Sequence, residues 1–200
     1  FTSCTVEMAD TTRPVDVAII DEGQMMNDPD RGWAFTHALL GLPAKELHVC
    51  GEPAMVSLIT TVLAGVGEVP EIVRYERLSP LAVAPSSLRG SYHTLAKGDA
   101  IVTFSRRAIY QLKHIIERTT GKKCAVVYGS LPMESRTHQA RLFNDPASDY
   151  EVLIASDAIG MGLNLNIRRI VFHTMRKFDG RDIVDVPMQQ VKQIAGRAGR

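Results

Sequence analysis

Short apolar, β-branched runs alternate along this chain with stretches in which apolar residues recur every three or four positions. Such alternation predicts parallel strands covered by helices, because helical crossovers bury both faces of each strand and so call for near-continuous apolar runs. The runs place strands at 15–20, 46–50, 71–75, 99–104, 123–128, 151–156 and 168–173. Helices are expected from Arg31 to Leu40, stopped by Gly41, and from Pro53 to Ala64, where proline suits a first turn. A third should run from a Ser105 cap to Thr120, ahead of Gly121, with Ile109, Leu112, Ile115 and Ile116 on one core-facing side.

The pattern breaks over 79–98, where Pro80, Pro85, Ser86, Ser87, Gly90 and Gly98 crowd together. This segment is expected to link a first lobe, 1–78, to a second, 99–200. Charge changes sign at the same place. Residues 1–100 carry 7 Lys and Arg against 13 Asp and Glu, and residues 101–200 carry 16 against 9. A basic second half suits a polyanion, although a solvated face produces the same imbalance.

Composition narrows the class. With 200 residues, 45% of them hydrophobic and 22% charged, the chain can build one large or two small globular domains. The longest mostly apolar stretch, Met55 to Val66, is interrupted by Ser57, Thr60 and Thr61 and is too short to cross a bilayer, so no membrane partner is expected. Cys4, Cys50 and Cys124 contain no Cys-x-x-Cys pair, which argues against a zinc site or a disulfide framework and for a reducing compartment. Cys50 is expected as a small buried hydrophobe and Trp33 with Phe35 as helix packing. The histidines show no metal-binding spacing. The chain starts at Phe1 inside a structured-looking segment and reads as a fragment, with any targeting signal outside it.

Several strand ends carry groups capable of chemistry. Asp21 and Glu22 follow the apolar run Val15 to Ile20, at the sheet edge where ligands gather in open α/β folds. There Asp21 would hold Mg²⁺, mostly through water, and Glu22 would orient and deprotonate an attacking water. A solvated strand end also has this sequence. In Gln193 to Arg200, two arginines three positions apart sit beside Gly196 and Gly199, a spacing suited to neutralising phosphoryl oxygens. Ser156 to Asn164 forms a polar, glycine-containing loop after another apolar run, while Ser105-Arg106 and Tyr128-Gly129-Ser130 offer hydroxyls, amides and a cation to a phosphate backbone. Caps and turns account equally well for each of these taken singly.

Taken in order, the segments resemble motifs II to VI of superfamily-two helicases of the DExH/Q type. Asp21-Glu22-Gly23-Gln24 resembles motif II, His48 to Glu52 motif III, Ile101 to Arg106 motif IV, Ser156 to Leu165 motif V, and Gln193 to Arg200 motif VI. Cys4 to Met8, Cys50 to Pro53, Tyr75 to Pro80, Arg141 to Pro146 and Ala155 to Asn166 are further similar to the RNA helicases of the mitochondrial degradosome, so that the resemblance covers essentially the whole chain. It implies two RecA-like lobes, the first incomplete at its N-terminus, and an ATP-dependent, Mg²⁺-dependent enzyme. RNA and a 3′–5′ exoribonuclease would be its partners in RNA degradation and surveillance in the mitochondrial matrix.

By the same resemblance, Asp21 and Glu22 serve Mg²⁺ and water. Gln24, Gly162, Asn164, Gln193, Arg197 and Arg200 serve the nucleotide, which would bind across the two lobes. Thr5, Ser105, Arg106, Gly129, Ser130 and Ser156 face RNA. Two departures stand out. Gly23 replaces the apolar residue usual in the family, which should loosen the turn after Glu22. No G-x-x-x-x-G-K-[ST] loop occurs, so these 200 residues alone are not expected to hydrolyse ATP. Two alternatives stay open: a helicase or translocase acting on DNA or RNA/DNA hybrids, and a non-catalytic RNA-binding scaffold derived from an ATPase.

Overall fold

The computed structural model describes residues 1–77, 80–160 and 163–199. They form two compact units, Phe1–Glu76 and the residues from Arg77 onward.

In the first unit, β1 (Val15–Ile20) and β2 (Ala44–Val49) pair in parallel, with Val15 opposite Ala44 and Ile20 opposite Val49. Helices α1 (Gly32–Gly41) and α2 (Met55–Ala64) complete it. Ile20, Phe35, Ala38, Leu39 and Ile59 form its buried core. Phe35 therefore packs as expected, whereas Trp33 is 64% exposed. Cys50 is also exposed, because β2 ends one residue before it and the chain turns away there. The expected strand at 71–75 is absent: Ile72, Val73 and Tyr75 are exposed, and β-branched residues form a strand only where a neighbour supplies the ladder.

The second unit holds a four-stranded parallel sheet in the order β4-β5-β3-β6, made of β3 (Asp99–Val102), β4 (Lys123–Val127), β5 (Tyr150–Ala155) and β6 (Arg169–Phe172). The strands alternate cleanly. Ala100, Val102, Ala125, Val127, Leu153 and Ala155 enter one core with Ala140 and Phe143 of α4 (Met133–Asn144) and Ile194 of α5 (Met188–Ala195). Ile101, Cys124, Val126, Val152 and Ile154 enter the other, against Ile109, Leu112 and Ile116 of α3 (Arg106–Thr120). At 3.6 residues per turn Ile115 lies about 90° round the helix from that buried row. It is accordingly 44% exposed, not core. Ser105 Oγ caps α3 by accepting from the Ala108 amide at 3.4 Å, and Gly121 ends it with a φ of 72°.

The segment 79–98, expected as a linker, contributes Leu95 to this second core and packs Leu88 and Tyr92 against it. A hairpin of β7 (Arg176–Phe178) and β8 (Ile183–Asp185) was not foreseen.

Two polar arrangements hold the sheet. Asp99, fully buried at the start of β3, accepts from Arg168 Nη2 at 2.8 Å, Arg169 Nη2 at 2.5 Å and the Ala96 amide at 2.9 Å, tying β3 to β6. At the outer edge of β4, the Cys124 amide donates to Glu117 Oε1 at 3.0 Å. Its carbonyl accepts from Lys113 Nζ at 2.8 Å, and the Val126 amide donates to Gln139 Oε1 at 2.9 Å.

Candidate functional site

The acidic pair sits where β1 ends. Asp21 is exposed, and its Oδ1 accepts the Glu22 amide at 2.9 Å. Glu22 takes left-handed backbone angles, φ 58° and ψ 42°, an arrangement that costs a non-glycine residue about 1–2 kcal/mol. Three bonds hold it there: the Cys50 amide to Ile20 O at 2.8 Å, the Gly23 amide to Cys50 O at 2.8 Å, and the Met25 amide to Glu22 O at 2.8 Å. Gln24 is buried and works on two sides. Its Nε2 donates to Glu22 Oε2 at 2.5 Å and its Oε1 accepts the Glu52 amide at 3.1 Å, joining motif II to motif III.

The slack expected from Gly23 is taken up by packing. A Cβ built there would lie 2.7 Å from both Val49 Cγ1 and Met55 Sδ, so neighbouring side chains already fill the space of a larger residue. Gly51 is equally confined, since a Cβ there would overlap Gln24 Oε1 and come within 2.6 Å of Met55 Sδ. The turn after Glu22 is thus fastened by close backbone approach.

Two consecutive carboxylates suit an ion that keeps most of its water and takes oxygens from a phosphate, as Mg²⁺ does. Among the described residues no group of three His, Cys, Asp or Glu side chains is placed to hold a metal alone.

In the second unit the carboxyl ends of parallel strands gather most of the expected RNA-facing residues. Ser105 and Arg106 follow β3, Gly129 and Ser130 follow β4, and Ser156 follows β5. Arg106 Nη1 lies 3.4 Å from Ser130 Oγ, and its guanidinium sits 5.6 Å from the centre of the Tyr128 ring. Tyr128 is held in turn by Tyr110, hydroxyl to hydroxyl at 3.1 Å, and that bond pushes the Tyr110 phenol pKa up. A side chain at Gly129 would meet open space, leaving its backbone approachable. The Ser156 hydroxyl caps the following turn through the Ala158 amide at 3.2 Å. Thr5 belongs to the first unit and is exposed. Two residues on, Glu7 accepts Arg31 Nε at 2.7 Å, which holds its carboxyl pKa down at about 2.

Motif VI begins on α5. Its Gln193 packs beside Gly160, where a Cβ would be 3.7 Å from the glutamine side chain, and Arg197 Nη2 donates to the Gly160 carbonyl. Gln190, one turn earlier, binds Asp157 Oδ2 at 2.9 Å and receives Lys177 Nζ at 2.7 Å. Motifs V and VI are therefore one hydrogen-bonded piece, with Gln190 and Lys177 as members that motif reading missed. Asn164 is exposed, its carbonyl accepting Asn144 Nδ2 at 2.8 Å. Gly162 and Arg200, both assigned to the nucleotide, lie outside the described residues.

This layout is that of a helicase, with RecA-like α/β units bearing the motifs on their strand ends. Residues 1–75 match the DEXQ-box helicase domain of Suv3 and residues 85–200 match the helicase conserved C-terminal domain. The chain belongs to the Suv3 family of helicases.

Similar curated proteins include the rice ATP-dependent RNA helicase SUV3, mitochondrial, 56% identical over 99% of this chain and 34% of its own length. The Saccharomyces cerevisiae protein of the same name is 48% identical over 100% of this chain and 27% of its own. Chicken ATP-dependent RNA helicase SUPV3L1, mitochondrial, is 48% identical over 99% and 25%. The chain thus spans about a quarter to a third of these relatives. Among solved structures, S. cerevisiae Dbp5 bound to RNA and ADP BeF3 has a TM-score of 0.62 at 13% identity, covering 93% of this chain and 50% of that one, and shares the fold.

Proposed function

We propose that the full-length protein is a mitochondrial ATP-dependent RNA helicase. The observation that carries this reading is 48–56% identity, across essentially the entire chain, to proteins named as such, in a chain that has Asp21, Glu22, Gln193 and Arg197. When bound, ATP with Mg²⁺ would supply the phosphoryl group and the charge that polarises it.

The roles follow from side-chain chemistry. Asp21 would hold Mg²⁺ through water. Glu22, kept in place by Gln24, would orient the attacking water and take its proton. Arg197 and Arg200 would neutralise charge on the phosphoryl oxygens, with Gln193, Gly162 and Asn164 lining the nucleotide. Arg106, Ser105, Ser130, Ser156, Thr5 and the open backbone at Gly129 would hold the RNA phosphates, giving salt-dependent binding with little sequence preference. A 3′–5′ exoribonuclease is the proposed partner.

The test is RNA-stimulated ATP hydrolysis and duplex unwinding by full-length protein, using RNA and DNA duplexes with 3′ overhangs. Turnover that depends on RNA and disappears in Glu22→Gln is expected. Preference for DNA duplexes would replace the RNA assignment, and RNA binding without turnover would leave a scaffold.

A further inference from the structure

Arg77 is the first residue of the second unit and follows Glu76, the last of the first. Its guanidinium is engaged at a distance of more than a hundred residues in sequence. Nη1 donates to the Gly196 carbonyl at 3.0 Å and Nη2 donates to the Ala198 carbonyl. These are the carbonyls on either side of Arg197, so one planar fork straddles the residue assigned to the phosphate.

The local chemistry explains why an arginine fits. Helix α5 ends at Ala195 and leaves terminal carbonyls without intrahelical partners. The amides of this turn are already used: Gly196 donates to Lys192 O at 2.8 Å, Arg197 to Ile194 O at 3.0 Å, Ala198 to Ala195 O at 3.0 Å and Gly199 to Ile167 O at 2.7 Å. A cation at the negative end of the helix is favoured, and only a guanidinium reaches two carbonyls from one rigid plane. With the backbone pinned on both flanks, the Arg197 side chain is directed to the Gly160 carbonyl of motif V.

We propose that Arg77 is a positioning residue for the arginine element of motif VI, and that through it the first residue of the second unit is tied to the phosphate-sensing turn. The inference rests on the helicase reading above. A shift of Arg197 toward a bound phosphate would be felt directly at the first residue after the first unit.

Full-length protein carrying Arg77→Ala, Arg77→Lys or, as a control, Arg74→Ala tests this. Loss of the fork should lower RNA-stimulated kcat about tenfold, the size of one charge-assisted hydrogen bond, while KM for ATP changes less than about threefold. RNA affinity without nucleotide should stay within about twofold and Tm within about 2 °C, since the contact is on the surface. Hydrogen exchange across 194–199 should quicken in Arg77→Ala. Arg77→Lys, able to reach one carbonyl, should recover part of kcat, and Arg74→Ala should match wild type. Wild-type kcat or unchanged exchange in Arg77→Ala overturns the proposal. So does a loss of kcat matched by equal losses of RNA affinity and Tm with no recovery by lysine. Wild-type protein without RNA-stimulated turnover would instead sink the helicase reading, and the inference with it.

Discussion

Gln24 holds the carboxylate of Glu22 from two residues away, Nε2 to Oε2 at 2.5 Å, while its own carbonyl oxygen is fixed by the Glu52 amide at 3.1 Å. The amide side chain relays the position of the loop after β2 to the group assigned to activate water. Gln24→Ala should therefore lower ATP turnover of the full-length protein about 10- to 100-fold, the usual cost of losing a group that orients a functional side chain. Steady-state kinetics with saturating RNA decides it: turnover equal to wild type would remove Gln24 from the mechanism.

Close packing at Gly23 gives a stability prediction. Gly23→Ala places a methyl against Val49 and Met55 and should destabilise the protein by about 1–3 kcal/mol, read from denaturant midpoints. Adding Met55→Ala should return part of that loss through coupling between touching residues. Strict additivity of the two changes would show that they do not share the space.

Asp99 should be costly to remove. Asp99→Ala leaves Arg168 and Arg169 facing a buried void, at about 3 kcal/mol, the low end for a broken buried pair because both arginines reach solvent. Arg168→Ala, from the more exposed side, should cost about 1 kcal/mol or less. Urea unfolding that ranks the two in the opposite order would contradict this account.

Burial pushes the Cys124 thiol pKa up to about 12, whereas Cys4 and Cys50 are exposed. At pH 8 two thiols should react quickly with a disulfide reagent and Cys124 only on unfolding. Because the folded pKa lies above the unfolded value of 9.0, this group adds stability that is complete below pH 9 and is lost as pH rises toward 12. Three equally fast thiols in the native protein would refute the placement.

Arg197→Ala and Arg200→Ala should each depress RNA-stimulated hydrolysis by about 10³-fold, the lower range for an arginine finger, and leave most RNA affinity in place. Turnover and filter binding measured together separate the two effects. Unchanged turnover in either variant would remove that arginine from the phosphate.

Strands β3, β4 and β5 were legible because they are largely buried on both faces and carry apolar runs, whereas the short, mostly exposed β7 and β8 carry too few apolar residues to show. The strand predicted at 71–75 misled for the converse reason: apolar residues there have no described neighbour to pair with. Helix α4 escaped notice because only Ala140 and Phe143 of its residues are buried, too few to set a visible period. The motifs picked out Asp21, Glu22, Arg197 and the strand ends that carry Ser105, Arg106, Ser130 and Ser156. They could not reveal Gln24 and Gly51 meeting across the motif II turn, Tyr128 beneath Arg106, or Arg77 on motif VI. Those contacts join residues far apart in the chain and leave no local signature.

The three side chains on the outer edge of β4 carry one more consequence. With the Cys124 amide and carbonyl and the Val126 amide already occupied by Glu117, Lys113 and Gln139, a stray extended peptide finds no free ladder on which to lie. The sheet is closed to sideways growth at this edge, so crowded copies of this protein cannot extend it by adding a strand beside β4.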